Sequence, residues 1–323
     1  MKALITGGAG FIGSHLTEAL LIGNNEVIAL DNLSTGRYEN IEHLLKNRTF
    51  EFVEGDILDA NLVDKLVEKI DCVFHLAAAV GVDLIVKKPL ESLTTNIKGS
   101  EVVLDAALRY RKKILIASTS EIYGKNVNGP LKENDDRILG SPLKARWSYS
   151  TAKAVDEMLA YIYWREKKLP AFIVRLFNTV GPRQTGAYGM VMPRFISQAL
   201  KNEPITVYGM GNQSRCFLHV KDTVRALTKL INEPKAIGEV FNIGSQEEVT
   251  IEQLAREIIK ITQSNSKIEY IPYEKAYEEG FEDMQRRVPD ITKINKLIGF
   301  KPTYALSGII KDIVSYLKNK SPA

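Results

Sequence analysis

Along the first half of the chain, short apolar and β-branched runs alternate with stretches whose apolar positions recur every three to four residues. The runs are KALIT, EVIAL, FEFVEGD, CVFHLA, KILIAS and PAFIVRL, beginning at residues 2, 26, 50, 72, 113 and 170. They read as continuous apolar strands, the pattern of strands covered on both faces, and each is followed by a turn or an amphipathic stretch. This rhythm predicts an α/β protein built on a doubly wound parallel sheet. After RLFNTVGPRQ (175–184) it breaks into loops, Pro/Gly turns and helices such as IEQLAREIIKI. Two domains are expected, 1–180 with the parallel sheet and 181–323 as a smaller α/β unit, some of whose segments can return to the first.

Composition adds mainly exclusions. The chain has 323 residues, 45% of them apolar, enough for a large core. Its 43 basic and 39 acidic residues leave a net charge of +4 with no long single-sign block, so neither nucleic acid nor a membrane surface is an expected partner. MKALITGGAG runs directly into a strand and a glycine turn, and Glu18 interrupts HLTEALLIGNN; neither a leader nor a membrane span is predicted. Cys72 and Cys216 are too few for a disulfide framework, which makes a reducing cytoplasm the expected location. The four histidines are scattered, and no metal site is expected.

TGGAGFIG follows the first strand and opens a helix, the context of a dinucleotide-binding turn. Gly7, Gly10 and Gly13 give one frame and Gly8, Gly10 and Gly13 another; the sequence leaves both open. In either, small residues let the backbone approach a pyrophosphate, whose charge the helix N-terminus favours. The second strand ends in Asp31, 18 residues after Gly13, where an acid receives the adenosine ribose hydroxyls. A carboxylate there repels a 2′-phosphate, so NAD is expected over NADP, although Arg37 nearby leaves NADP open.

In RWSYSTAKAVDE, Tyr149 precedes Lys153 by four residues, which places both on one face of a helix. Tyrosine is a poor base at neutral pH unless a cation stabilises its phenolate, and Lys153 can supply that charge. With Thr119 and Ser120 at the end of the strand before this helix, hydroxyl, phenol and ammonium form a proton-relay set for hydride transfer at a carbon bearing a hydroxyl. On the far side of the same helix, Val155, Met158, Leu159 and Ile162, widened by Ala154 and Tyr161, form an apolar arc of about 160°. That arc needs cover, from this chain or from a partner subunit.

Taken together, these residues resemble the extended short-chain dehydrogenase/reductase family of nucleotide-sugar epimerases, dehydratases and decarboxylases, over essentially the whole chain. The likeness rests on TGGAGFIGSH, DNLSTG, GDI (55–57), FHLAAA (74–79), TN (95–96), the Tyr149/Lys153 pair, RLFNTVGPRQ, PITVYG and RCFLHVKD. It implies a Rossmann domain binding NAD through Gly7, Gly10, Phe11, Ile12, Gly13, Asp31, Asn32, Ser34, Thr35, Gly36, Asp56, Ile57, Leu76, Ala77, Ala78, Asn96, Tyr149 and Lys153. It also implies a UDP-sugar site in which Asn178 meets the diphosphate region, Tyr208 and Thr206 the nucleobase, and Arg215 the phosphates, with Val191 and Arg194 beside them. A homodimer through the helices starting near residues 92 and 148 is implied as well.

ASTSEIYG (117–124) adds an acid, Glu121, to the strand end. Family members that only invert C4 usually lack it, whereas STSE resembles the segment of UDP-glucuronate decarboxylases and GDP-mannose 4,6-dehydratases. Oxidation of C4 acidifies the C5 proton and turns a C5 carboxylate into a β-keto acid, so the resemblance makes Glu121 the base or orienter of that stage; its structural alternative is to cap the next turn. GSPLKARWSYSTAK and GFEDMQRRVPD are similar to a bacterial UDP-glucuronate decarboxylase domain and would make Arg287 the proton donor. Against this, those enzymes carry a tyrosine in the loop after the fourth strand, where AVGVDLIVKKP has Leu84 and Ile85. UDP-glucuronate decarboxylation is the leading expectation, with 4-epimerisation of UDP-glucose, UDP-galactose or UDP-glucuronate, and 4,6-dehydration of a nucleotide sugar, as alternatives. A non-catalytic dinucleotide sensor is the remote one.

Overall fold

A computed structural model describes residues 1–79, 89–144, 147–186, 190–273 and 284–320. The continuous apolar runs become strands β1 (Lys2–Thr6), β2 (Glu26–Asp31), β3 (Phe50–Glu54), β4 (Cys72–His75), β5 (Lys113–Thr119) and β6 (Ala171–Leu176). A short strand β7 (Thr179–Val180), then β8 (Ile205–Tyr208), β9 (Ser214–Cys216), β10 (Leu218–His219) and β11 (Val240–Ile243) follow. Seven of these form one sheet in the order β11-β6-β5-β4-β1-β2-β3, parallel throughout.

Side-chain alternation explains why the strand sequences look uniformly apolar. In β1, Ala3 and Ile5 enter one core and Leu4 the other; in β2, Val27 and Ala29 separate from Ile28 and Leu30 in the same way. The first core is covered by α1 (Phe11–Ile22) and α6 (Val220–Leu230), which pack on each other. The second is covered by α2 (Ala60–Glu68), α3 (Pro89–Arg109) and α4 (Ser148–Lys167). The chain leaves β1 for β2 and β3 on one side and returns to β4 on the other. That reversal of strand order opens a crevice at the carboxyl ends of β1 and β4, the expected ligand position in such sheets.

The remaining elements build the second half. Helices α5 (Val191–Leu200), α7 (Ile251–Thr262) and α9 (Leu306–Lys320) enclose a third core that includes Phe195, Leu254 and Ile309. A three-stranded sheet orders β12 (Glu248–Thr250), β9 and β14 (Arg286–Arg287), and β13 (Ile268–Ile271) pairs with β8. Besides α6, which already covers the first core, later segments of the second half return to the first: β11 adds the seventh strand beside β6, and α8 (Thr292–Ile298) packs on β11.

On α4 the apolar arc is only partly covered by the chain itself. Ala154 is buried and Leu159 packs into the second core, whereas Met158 is 59% exposed, with Tyr161 and Ile162 also exposed. Among the described residues no helix is long and apolar enough to cross a membrane, and no group of three His, Cys, Asp or Glu could hold a metal ion. Cys72 and Cys216 are free and buried.

Candidate active site

The crevice continues into a cavity of about 690 Å3 between the sheet and the second half. The glycine turn after β1 forms its floor. Gly7 adopts φ +74°, and a Cβ there would stand 2.9 Å from the Ala77 nitrogen. A Cβ on Gly13 would stand 2.1 Å from the Gly7 oxygen, too close for any side chain. Gly8 instead faces away, against Ala29, and a Cβ there would meet that side chain at 2.5 Å. Gly7, Gly10 and Gly13 therefore line the cavity and Gly8 is the packing glycine, which settles the frame left open by the sequence. Gly10 caps α1 without a side chain, so the first amides of the helix, at Phe11 and Ile12, lie at the cavity wall. A helix N-terminus in this setting suits an anion.

Asp31 ends β2 at the cavity edge. Its carboxylate accepts from the Ala9 nitrogen at 2.9 Å and the Leu33 nitrogen at 2.8 Å, while burial raises its pKa above the ordinary value against these bonds and that of Gly10. Gly36 lies against it: a Cβ there would meet both carboxylate oxygens at 2.7 Å. Beside it, Asn32 donates to Asp56 at 2.8 Å and accepts from the Ser34 nitrogen and hydroxyl, ordering the rim that includes Thr35 and Ile57. Leu76, Ala77 and Ala78 line the opposite wall. Asn96 does not. It is buried, accepting from the Ala79 nitrogen at 2.8 Å and donating to the Ala79 oxygen at 3.3 Å, and so braces the wall from behind.

At the end of β5, Thr119, Ser120 and Glu121 all reach the cavity. The capping role falls to Thr119, whose Oγ1 accepts from the Glu121 nitrogen at 3.2 Å. The Glu121 side chain is thereby left to the cavity. Ser150 on α4 holds the same turn by donating to the Glu121 oxygen at 2.9 Å. Tyr149, one residue earlier, is 8% exposed and lines the cavity beside them. Its phenol is pushed above the ordinary tyrosine pKa by burial first, then by the charges of Glu121 and Asp156. Lys153 is 2% exposed and donates to Asp156 Oδ2 at 2.6 Å, one turn along α4.

From the second half, β14 pairs with β9 in parallel so that Arg287 stands beside Arg215. The two arginines of RR separate by strand alternation. Arg286 turns out to a bidentate pair with Glu248, and Arg287 turns in, 8% exposed, with Nη1 3.6 Å from Glu121 Oε1. Arg194 lies over the Tyr208 ring at 4.0 Å and donates to Thr206 at 3.0 Å; Thr206 thus positions the arginine rather than facing the cavity. Asn178 adopts φ +31° and donates to the Cys216 oxygen at 2.9 Å, next to Val191 on the cavity wall.

Several cavity residues were not singled out from the sequence: Ser118, Glu91, Arg183, Gln184, Gln213 and Tyr273. Of these, Arg183 and Gln184 sit in GPRQ and could have been read from that motif; the others carry no local signal. The loop carrying Leu84 and Ile85 lies outside the described residues.

A family model described as GDP-mannose 4,6 dehydratase matches residues 4–313. A UDP-N-acetyl-alpha-D-glucosaminuronate decarboxylase of Bacillus cytotoxicus is 42% identical over 318 residues, covering 98% of each chain. UDP-glucuronic acid decarboxylase 1 of Danio rerio is 36% identical, over 99% of this chain and 73% of that protein. Among solved structures, the UDP-glucuronic acid 4-epimerase of Bacillus cereus in complex with UDP-glucuronic acid and NAD superposes with a TM-score of 0.88 at 32% identity, covering 99% of both chains. With a nearly full-length match joined to a glycine turn, an acid-ended second strand and a Tyr149 helix around one cavity, the chain belongs to the GDP-mannose 4,6-dehydratase family of extended short-chain dehydrogenases/reductases.

Proposed function

We propose that this protein is an NAD-dependent UDP-uronate decarboxylase that works through transient oxidation at C4. The observation that carries the reading is Glu121 in the cavity at the end of β5, paired with Arg287 and freed from capping by Thr119. NAD, when bound, supplies the hydride acceptor at C4 and returns the hydride at the end. The cradle fits it: Gly7, Gly10 and Gly13 line the cavity with backbone alone beside the helix N-terminus, and Asp31 presents a carboxylate to a ribose diol.

Tyr149 takes the proton of the C4 hydroxyl, with Thr119 and Ser120 orienting that oxygen, and Lys153 supplies positive charge from the same helix. The C4 ketone makes the carboxylate a β-keto acid that loses carbon dioxide. Glu121 orients the sugar at C5, and Arg287 returns a proton to C5. Arg215, Asn178 and the Arg194/Tyr208 stack fit the diphosphate and base of a UDP group, since guanidinium forks match phosphate oxygens and stack on planar rings. The convergence of Thr119, Glu121, Tyr149 and Arg287 on one cavity speaks against a non-catalytic sensor.

The absence of a tyrosine from AVGVDLIVKKP favours a second reading, 4-epimerisation without loss of carbon. Product analysis by mass and NMR separates the two, using UDP-glucuronate, UDP-N-acetylglucosaminuronate, UDP-glucose and UDP-N-acetylglucosamine. Loss of carbon dioxide from either acid is expected; a C4 epimer of unchanged mass would overturn the decarboxylase reading. A homodimer through α3 and α4, in a cytoplasmic setting, completes the proposal and would cover Leu90, Met158, Tyr161 and Ile162.

A further inference from the structure

Asp156 lies in the RWSYSTAKAVDE stretch with no role read from the sequence, yet it is the residue that Lys153 meets. Its side chain is fully buried, its Oδ2 lies 2.6 Å from Lys153 Nζ, and its Oδ1 is buried without a hydrogen-bond partner among the described residues. A carboxylate with one oxygen satisfied and one bare is an expensive group to bury. We infer that Asp156 is a positioning residue that holds the Lys153 ammonium and, through it, sets the pH at which Tyr149 can act as a base.

The argument is electrostatic. Lys153 favours the Tyr149 phenolate only as far as its charge is not already neutralised, and Asp156 neutralises it at hydrogen-bonding distance. Asp156 also adds its own negative charge close to the phenol, in the same direction as burial. The other charged groups around this stretch of α4 are fixed by partners elsewhere. From the turn after β5 comes Glu121, 3.6 Å from Arg287 of β14; from β6, Arg175 is held by Glu157; Arg137 donates to the Ser150 oxygen. From β4, His75 is bonded to Thr6 and Ser100 and held neutral by burial, and Lys153 acts on it in the same direction. From α3, Asp105 accepts from Tyr163 and Glu101 lies near that ring, both toward the far end of α4. Among the described residues, Asp156 is the charged partner that Lys153 meets at hydrogen-bonding distance.

This inference rests on Tyr149 being the base. The test measures kcat/KM against pH for the NAD-loaded enzyme and for Asp156→Asn, which keeps the shape and removes the charge. Its acid limb reports the base in the free enzyme. Removing the charge should move that limb down by about one pH unit, giving roughly ten-fold more activity at its foot. Asp156→Glu, which keeps the charge, should restore the wild-type profile. A limb in Asp156→Asn that superposes on wild type, in protein that still binds NAD, overturns the inference. If Asp156→Asn does not fold, Asp156→Ser gives the same comparison, read as the difference in tyrosinate absorbance of the holoenzyme with and without Tyr149→Phe, which isolates Tyr149 among the 13 tyrosines: an unshifted difference titration overturns it. Tyr149→Phe is the separate control: if it retains activity the base assignment fails, and if it is inactive while the limb stays fixed only the role of Asp156 fails.

Discussion

Arg287 of β14 and Glu121 of the turn after β5 come from opposite halves of the molecule and meet at 3.6 Å inside the cavity, with Arg287 also 3.3 Å from Ser120 Oγ. The substrate half therefore reaches the end of the catalytic strand directly. Glu121→Gln keeps the shape and removes the acid. Decarboxylation should slow by about a hundred-fold, the cost of a sugar misplaced at the reacting carbon, while C4 oxidation persists. Stopped-flow absorbance of reduced cofactor together with product release checks both parts. Turnover within a few-fold of wild type would show that no carboxylate is needed near C5.

Arg287→Ala removes the group assigned to reprotonate C5. A 4-keto pentose should then accumulate in place of the reduced pentose, detected by mass spectrometry after borodeuteride trapping. Unchanged product ratios would place the proton donor elsewhere.

Tyr149→Phe should abolish C4 oxidation and leave cofactor affinity nearly intact, because only the proton acceptor is lost. The comparison is single-turnover reduction of bound cofactor against its binding by titration calorimetry. In the same titration the wild-type protein should prefer NAD to NADP, since Asp31 holds its two backbone bonds where a 2′-phosphate would have to fit.

Acid should destabilise the fold before the carboxylates titrate. Burial lowers the pKa of His75 from 6.5 to about 3 and that of His15 to about 4. Both are neutral in the folded protein and take up a proton only on unfolding. Their contribution to stability is complete above pH 6.5 and is lost as pH falls from 6.5 toward the folded values. Each should tilt the unfolding free energy by about 1.4 kcal/mol per pH unit in that window. Urea denaturation between pH 7.5 and 5 checks the slope, and His75→Gln should reduce it.

Leu90, at 77% exposure, and Met158, at 59%, mark the uncovered side of the α3/α4 pair. If a second copy covers it, Met158→Glu should give monomers by sedimentation at micromolar concentration while the wild type sediments as a dimer. A wild-type monomer would leave the face to another use.

The strands, and the places of the glycine turn and Tyr149 on one cavity, are legible because their periods and spacings are local. Continuous apolar runs required a sheet covered on both sides, and the alternation of Leu4 with Ala3 and Ile5 supplies it. What was not legible depends on contacts distant in sequence or on competition between neighbours. The glycine frame is decided by Ala29 pressing on Gly8. The fate of Lys153 is decided by Asp156, three residues on, which no motif marks. Asn96 and Thr206 hold their neighbours instead of the cavity, because Ala79 and Arg194 occupy their hydrogen-bonding groups. The opposite facing of Arg286 and Arg287 follows from strand alternation that only the pairing of β14 with β9 reveals.

The position of β11 bears on how the chain is made. β6 ends at Leu176, and its outer neighbour begins at Val240, register partner of Ile173. During synthesis the nascent sheet keeps a bare edge, Ala171–Leu176, almost all of it apolar and buried in the finished protein, until the later segment leaves the ribosome. A gene cut after residue 180 would encode that open edge permanently, and its product should aggregate rather than behave as a separable cofactor module.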